Sequence, residues 1–283
     1  MPSATLHDGS TIEVEVHGEG PTVLLPLNPT PAEEGPQAEE MRKWGADPSL
    51  GHSIITGLSD AFRVVAFDYE GHVLSAPKPG TLTPDNIAAD ILAIADAAGA
   101  CRFAYYGYSW LAVLGIQLAI RTDRLTALAI GGYPPVAGPY GDMLKVTNAA
   151  HRMAGETPNA PSAKGEPGDW SSVSVSMSLD QTRQFVTLYE ALQSFDDRAA
   201  QDRITCPRLC FAGSADTIVY GPEWDDARVD IAGPVLSLRA ELEGLGWEVR
   251  VLDGLDHMQA MQAGQVIPVI RPWLAAELSS VAG

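Results

Sequence analysis

Apolar and polar positions alternate from the start of the chain. Thr5-Leu6-His7, an Asp8-Gly9 turn and then Thr11-Ile12-Glu13-Val14-Glu15-Val16 predict two antiparallel strands joined as a hairpin. Gly18-Glu19-Gly20-Pro21 turns the chain into Thr22-Val23-Leu24-Leu25, an unbroken apolar run of the kind found in buried strands. A second such run, Phe62-Arg63-Val64-Val65-Ala66-Phe67, ends at Asp68. Over residues 83–99 the period becomes helical: Thr83 caps, Pro84 occupies the first turn, Ile87, Ile91, Ile94 and Ala98 share a face, and Gly99 stops the helix. Arg102-Phe103-Ala104-Tyr105-Tyr106 then reads as a strand, and residues 110–120 as a helix apolar nearly all round, which places it in the protein's centre. Further strands are predicted at 125–130, 208–212 and 248–252. Strands alternating with helices predict an α/β fold with a mainly parallel sheet covered on both faces.

The alternation breaks over residues 134–203. Residues 155–169, rich in Gly, Pro, Ser and Ala, predict an irregular loop. Ser178 with Gln181 makes a capping box, opening a helix with Phe185, Leu188, Leu192 and Phe195 on one face. This helical insertion predicts a cap over residues 134–200, the core being residues 1–133 and 201–283. Residues 28–49 are polar and long for a strand-to-helix connection, which predicts a functional loop. The chain has no internal repeat.

Charge narrows the partners. The 283 residues carry a formal net charge of −18, a field that repels nucleic-acid backbones and anionic lipid and reads as a device for solubility ahead of a cationic partner; the expected partner is a small-molecule substrate. Cys101, Cys206 and Cys210 are too few for a disulfide framework and lack the companions of a zinc set, so all three read as small buried hydrophobes. No apolar run has the length of a membrane span, and the first residues lack the apolar core of a signal peptide, so the expected setting is cytoplasmic.

The chemistry gathers at strand ends. Tyr106-Gly107-Tyr108-Ser109-Trp110-Leu111 puts a serine between a strand and a buried helix, where a sharp turn lifts its hydroxyl and lets the Trp110 amide face an oxyanion. Phe211-Ala212-Gly213-Ser214-Ala215-Asp216 leaves a later strand and ends in a carboxylate; Val251-Leu252-Asp253-Gly254-Leu255-Asp256-His257 leaves the next and ends in an imidazole. Parallel strands bring all three loops to one carboxyl edge, with Ser109 as nucleophile, His257 as base and Asp216 as the acid that orients it. Asp253 and Asp256 read as solvated loop residues, and His72 as a hydrogen-bonding scaffold residue. His151 reads as a solvated helix residue.

In these segments, and in Asp68-Tyr69-Glu70-Gly71-His72-Val73-Leu74-Ser75, the sequence resembles the α/β-hydrolase fold superfamily along nearly all its length. The resemblance implies serine-hydrolase activity on esters, thioesters or related bonds, without metal or organic cofactor. Two departures stand out. Leu111 replaces the third glycine of the serine motif, and Pro26-Leu27-Asn28-Pro29 replaces a His-Gly pair after the third core strand. Pro29 has no amide hydrogen, so the second oxyanion donor is expected at Asn28, with Leu27 and Thr30 as alternatives. Trp110, Tyr108, Tyr133, Tyr140 and Trp170 are candidate pocket residues. The expected reaction is hydrolysis of a small, largely apolar ester, lactone or thioester through an acyl-enzyme. The alternatives are carbon–carbon hydrolysis, lyase or cyclase chemistry on the same fold, or a ligand-binding protein that keeps the pocket.

Overall fold

In the computed structural model, which describes residues 2–156 and 175–279, the chain begins with β1 (Ser3–Thr5) and β2 (Thr11–Glu13). They form the expected hairpin, with Ser3 opposite Glu13. The run to Val16 does not stay in it. Val14 is buried and its N–H donates to the Pro2 carbonyl, and β3 (Glu15–His17) crosses to the edge of the main sheet, antiparallel to β5 (Arg63–Ala66). One alternating run therefore serves two sheets.

Between these come β4 (Thr22–Leu25), α1 (Pro36–Lys43) and α2 (Leu50–Leu58). The polar segment over residues 28–49 thus contains a helix rather than loop alone. After β5 follow α3 (Tyr69–Ser75), α4 (Pro84–Ala97), β6 (Phe103–Tyr108), α5 (Trp110–Ala119) and β7 (Leu125–Gly131). Two long helices then interrupt the alternation, α6 (Tyr140–Glu156) and α7 (Leu179–Ala191). The core resumes with β8 (Arg208–Gly213) and a small β9 (Thr217–Val219) and β10 (Arg228–Asp230) ribbon. It ends with α8 (Ala232–Ser237), α9 (Arg239–Gly244), β11 (Trp247–Leu252), α10 (His257–Ala260) and α11 (Ala263–Ser279).

The main sheet has seven strands in the order β11-β8-β7-β6-β4-β5-β3, parallel throughout except for β3. β6 lies near its middle and is buried along its whole length. Its pleat sends Phe103 and Tyr105 into one apolar layer with α4 and α5, and Ala104, Tyr106 and Tyr108 into the other with α2 and α11. The capping residues act as their types predict: the Thr83 side chain accepts from the Asn86 N–H, Gly99 takes φ 66°, and Ser178 and Gln181 form the reciprocal box that opens α7. Among the described residues no helix is long and apolar enough to cross a membrane. Cys210 is buried and Cys206 partly so, but Cys101 is exposed, contrary to its expected place in the core.

A polar cluster ties the first hairpin to the core. The Lys78 ammonium, fully buried, donates to Asp8 and to the Ser10 hydroxyl, and the His72 ring lies 2.9 Å from that hydroxyl. His72 is thus the scaffold residue its loop suggested. Burial alone would raise the Asp8 pKa, but hydrogen bonds from Lys78 and Ser10, with the Lys78 charge, hold it well below the ordinary 3.8. Removing one partner strands a buried charge, so Asp8→Ala is expected to cost about 3 kcal/mol at neutral pH by denaturant titration. Because the folded pKa is depressed, the contribution is complete above the unfolded value and is lost as pH falls through the folded one. The gap between the two proteins should therefore narrow only in strong acid. A gap independent of pH would mean that the carboxylate charge is not what stabilises.

Candidate active site

Ser109 follows β6 directly, with φ 57° and ψ −128° before α5 begins at Trp110. A residue with a Cβ rarely adopts positive φ, so this turn stores strain that its surroundings must hold. The Ser109 N–H donates to the Gly131 carbonyl at 2.9 Å, and the Ala112 N–H donates to the Ser109 carbonyl at 2.9 Å. Gly107 gives the room: a Cβ there would lie 2.4 Å from the Leu111 carbonyl oxygen. That carbonyl accepts from the buried Tyr105 hydroxyl at 2.8 Å, and the Leu111 side chain is buried in the core. The close approach is made by the Leu111 backbone, which is how a leucine is accommodated where a small residue was expected.

Asp216 lies just beyond β8 and His257 just beyond β11. Since β6, β7, β8 and β11 run parallel, both residues reach the edge that carries Ser109. The His257 Nε2 lies 3.1 Å from Ser109 Oγ, and its Nδ1 lies 2.9 and 3.0 Å from the two Asp216 oxygens. Asp216 is fully buried and His257 nearly so. Gly213 makes the crossing possible, because a Cβ there would meet the Leu255 carbonyl oxygen at 2.0 Å. The other two acids have different partners: the Ser214 hydroxyl donates to Asp253 at 3.3 Å, and the Asp256 side chain caps α10 by accepting from the Gln259 N–H at 2.8 Å. An Nδ1–H held by Asp216 leaves the Nε2 lone pair facing Ser109, the tautomer that can accept the hydroxyl proton.

Trp110 is the first residue of α5, so its N–H lacks an intrahelical acceptor. Asn28 lies in the loop after β4. Its Oδ1 accepts from the Thr30 N–H at 2.9 Å, while its own backbone N–H has no backbone acceptor among the described residues.

Ser109 and Trp110 open on a cavity of about 390 Å³. Met143, Val146 and Thr147 of α6 line it, with Thr182, Phe185 and Tyr189 of α7. Tyr220 and Trp224, from the excursion between β9 and β10, complete one side. Three of the expected pocket residues are elsewhere. Tyr108 is buried beneath the site, donating its hydroxyl to the His257 carbonyl at 2.9 Å with its ring 5.1 Å from the imidazole. Tyr133 and Tyr140 are buried against each other, ring centroids 5.7 Å apart. Trp170 lies outside the described residues, as does most of the 155–169 loop. His151 bonds Thr182 through Nδ1 at 2.9 Å, tying α6 to α7.

The cavity's acidic residue was not anticipated. Glu70, in the first turn of α3 at the carboxyl end of β5, lines this cavity and a second one of about 290 Å³ that contains Leu27, Asn28 and Met258. The strand-end reasoning that found Asp216 and His257 applies equally to Glu70.

Neither a family model nor a curated protein matches the sequence. Solved structures do. A thermophilic esterase from Thermogutta terrifontis superposes with a TM-score of 0.62 at 18% identity, over 98% of this chain and 97% of its own. The enol-lactonase from Burkholderia xenovorans gives 0.60 at 18% identity, over 98% and 100%. The chain has the α/β-hydrolase fold. A bromoperoxidase from Bacillus anthracis gives 0.57 at 16% identity over 98% and 99%, so proteins with different activities share this fold. Within the α/β-hydrolase fold, the chemistry has to be argued from the side chains at the sheet's carboxyl edge.

Proposed function

We propose that the protein is a serine hydrolase that cleaves a small, largely apolar ester, lactone or thioester through an acyl-enzyme on Ser109. The observation that carries this reading is the continuous hydrogen-bonded line from Asp216 through His257 to Ser109. In that line His257 takes the hydroxyl proton as Ser109 attacks the acyl carbon and returns it to the leaving alcohol or thiol. Water then attacks the acyl-enzyme by the same route in reverse. Asp216 holds the ring's tautomer and stabilises the imidazolium. The Trp110 amide, with the Asn28 backbone amide, receives the oxyanion. The predominantly apolar lining favours an apolar acyl or alcohol group. The insertion over residues 134–200 acts as a cap, since its helices α6 and α7 supply half of the lining residues.

A fluorophosphonate probe tests the reading directly. It should label Ser109 and no other residue, and labelling elsewhere would refute the assignment. The oxyanion proposal carries its own test. Because the Asn28 side-chain oxygen is taken up by Thr30, Asn28→Ala should retain turnover to within about tenfold, whereas loss of a true side-chain donor costs a hundredfold or more. A hundredfold loss in kcat with unchanged KM would transfer the role to the Asn28 side-chain amide.

A further inference from the structure

Glu70 is the sole charged side chain among the described residues lining the Ser109 cavity. Its residue is exposed to solvent and lines both that cavity and the smaller one beside it. No lysine or arginine pairs with it among the described residues: the ion pairs of the α3 region belong to Asp8, Lys78 and Asp90 with their own partners. Burial pushes its pKa up. The Trp110 indole N–H opposes that rise, and the nearby Asp68 charge adds to it. No protein cation pulls it down.

Part of the surrounding wall is aromatic. Trp110, Phe185, Tyr189, Tyr220 and Trp224 line the same cavity, and the Trp110 and Phe185 rings meet edge to face at 5.3 Å. Aromatic faces attract cations through their quadrupoles, most strongly where water is scarce. A carboxylate with no protein cation beside it, in a cavity that also presents aromatic rings, is matched by a ligand that brings positive charge. The chain's net charge of −18 adds a field that draws such ligands in.

We propose that Glu70 and this aromatic wall select substrates bearing a protonated amine or quaternary ammonium beside the group that is cleaved. The inference rests on the hydrolase reading only for that last clause; the recognition of a cation by the cavity stands apart from catalysis.

The test uses two esters of nearly equal shape, the acetate of choline and its neutral isostere, 3,3-dimethylbutyl acetate. Their dissociation constants are measured by calorimetry on the Ser109→Ala protein, which cannot acylate. The cationic ester should bind at least about tenfold more tightly. Adding Glu70→Gln should bring the two affinities to within about threefold of each other, a ratio independent of how much of the preparation is folded. Equal affinities, a preference that survives Glu70→Gln, or no binding of the choline ester would each overturn the proposal. Incubating both esters with the unsubstituted enzyme separates the two readings. A choline ester that is bound through Glu70 but never cleaved leaves cation recognition standing and removes the hydrolytic function, while cleavage of the neutral ester without cation preference does the reverse.

Discussion

Ser109→Ala is expected to lower turnover of an activated ester by about a thousandfold or more, because nucleophile, base and acid act as one unit. What remains would be the transition-state stabilisation proposed for the amides of Trp110 and Asn28, which the substitution leaves in place. The two parameters of the rate should part company: kcat falls, while binding of a non-reactive substrate analogue is nearly unchanged, since the cavity wall is mostly apolar and half of its lining residues come from α6 and α7. Steady-state kinetics beside calorimetry on the same preparation checks both. A variant that keeps a tenth of the original turnover would mean that the hydroxyl is not the attacking group, whatever its distance from His257.

Asp216→Asn should be as damaging or worse. An amide at this position can donate to Nδ1, which reverses the imidazole tautomer and points an N–H at Ser109 instead of a lone pair. Held in that state, the base cannot take a proton, and a loss of roughly ten-thousandfold in kcat is expected. Asp253→Asn and Asp256→Asn provide the comparison. Asp253 accepts from the Ser214 hydroxyl while the imidazole's own partner is Asp216, and an asparagine at 256 can still cap α10. Both should stay within about tenfold of the parent. If either rivals Asp216→Asn, the acid has been misassigned.

The sheet and the three residues converging on its edge could be read from the sequence because each follows from a local rule. Apolar runs of strand length marked β4, β5, β7, β8 and β11, and a polar residue just past such a run is held at the carboxyl edge by the parallel topology itself. Capping chemistry fixed the starts of α4 and α7 for the same reason, since it involves residues three apart. The pocket was not legible in this way. Tyr133 and Tyr140 carry the composition of a binding wall, yet their direction depends on how α6 packs, which no nearby residue records. Tyr220 and Trp224 reach the cavity through a ribbon whose short strands give little periodic signal. The hairpin run divided between two sheets for a related reason: alternation sets which face a side chain takes, but not which neighbour the backbone finds. Glu70 is the exception, a strand-end residue passed over beside the more conspicuous His72.

The order of strands has a consequence for how the molecule is made. Among the described residues β11 is both the last strand and an outer strand of the sheet, with β8 as its only neighbour. His257 leaves that strand, 148 residues after Ser109 and 41 after Asp216. During synthesis the serine turn and most of the sheet's strands are made before the imidazole, which is the last of the three groups to be added. On the proposed reading, the line from Asp216 through His257 to Ser109 closes only once this final strand has docked. The same geometry operates in reverse when the finished protein loosens. Outer strands open at lower free energy than inner ones, so fraying of β11 withdraws the base while the rest of the sheet stays closed.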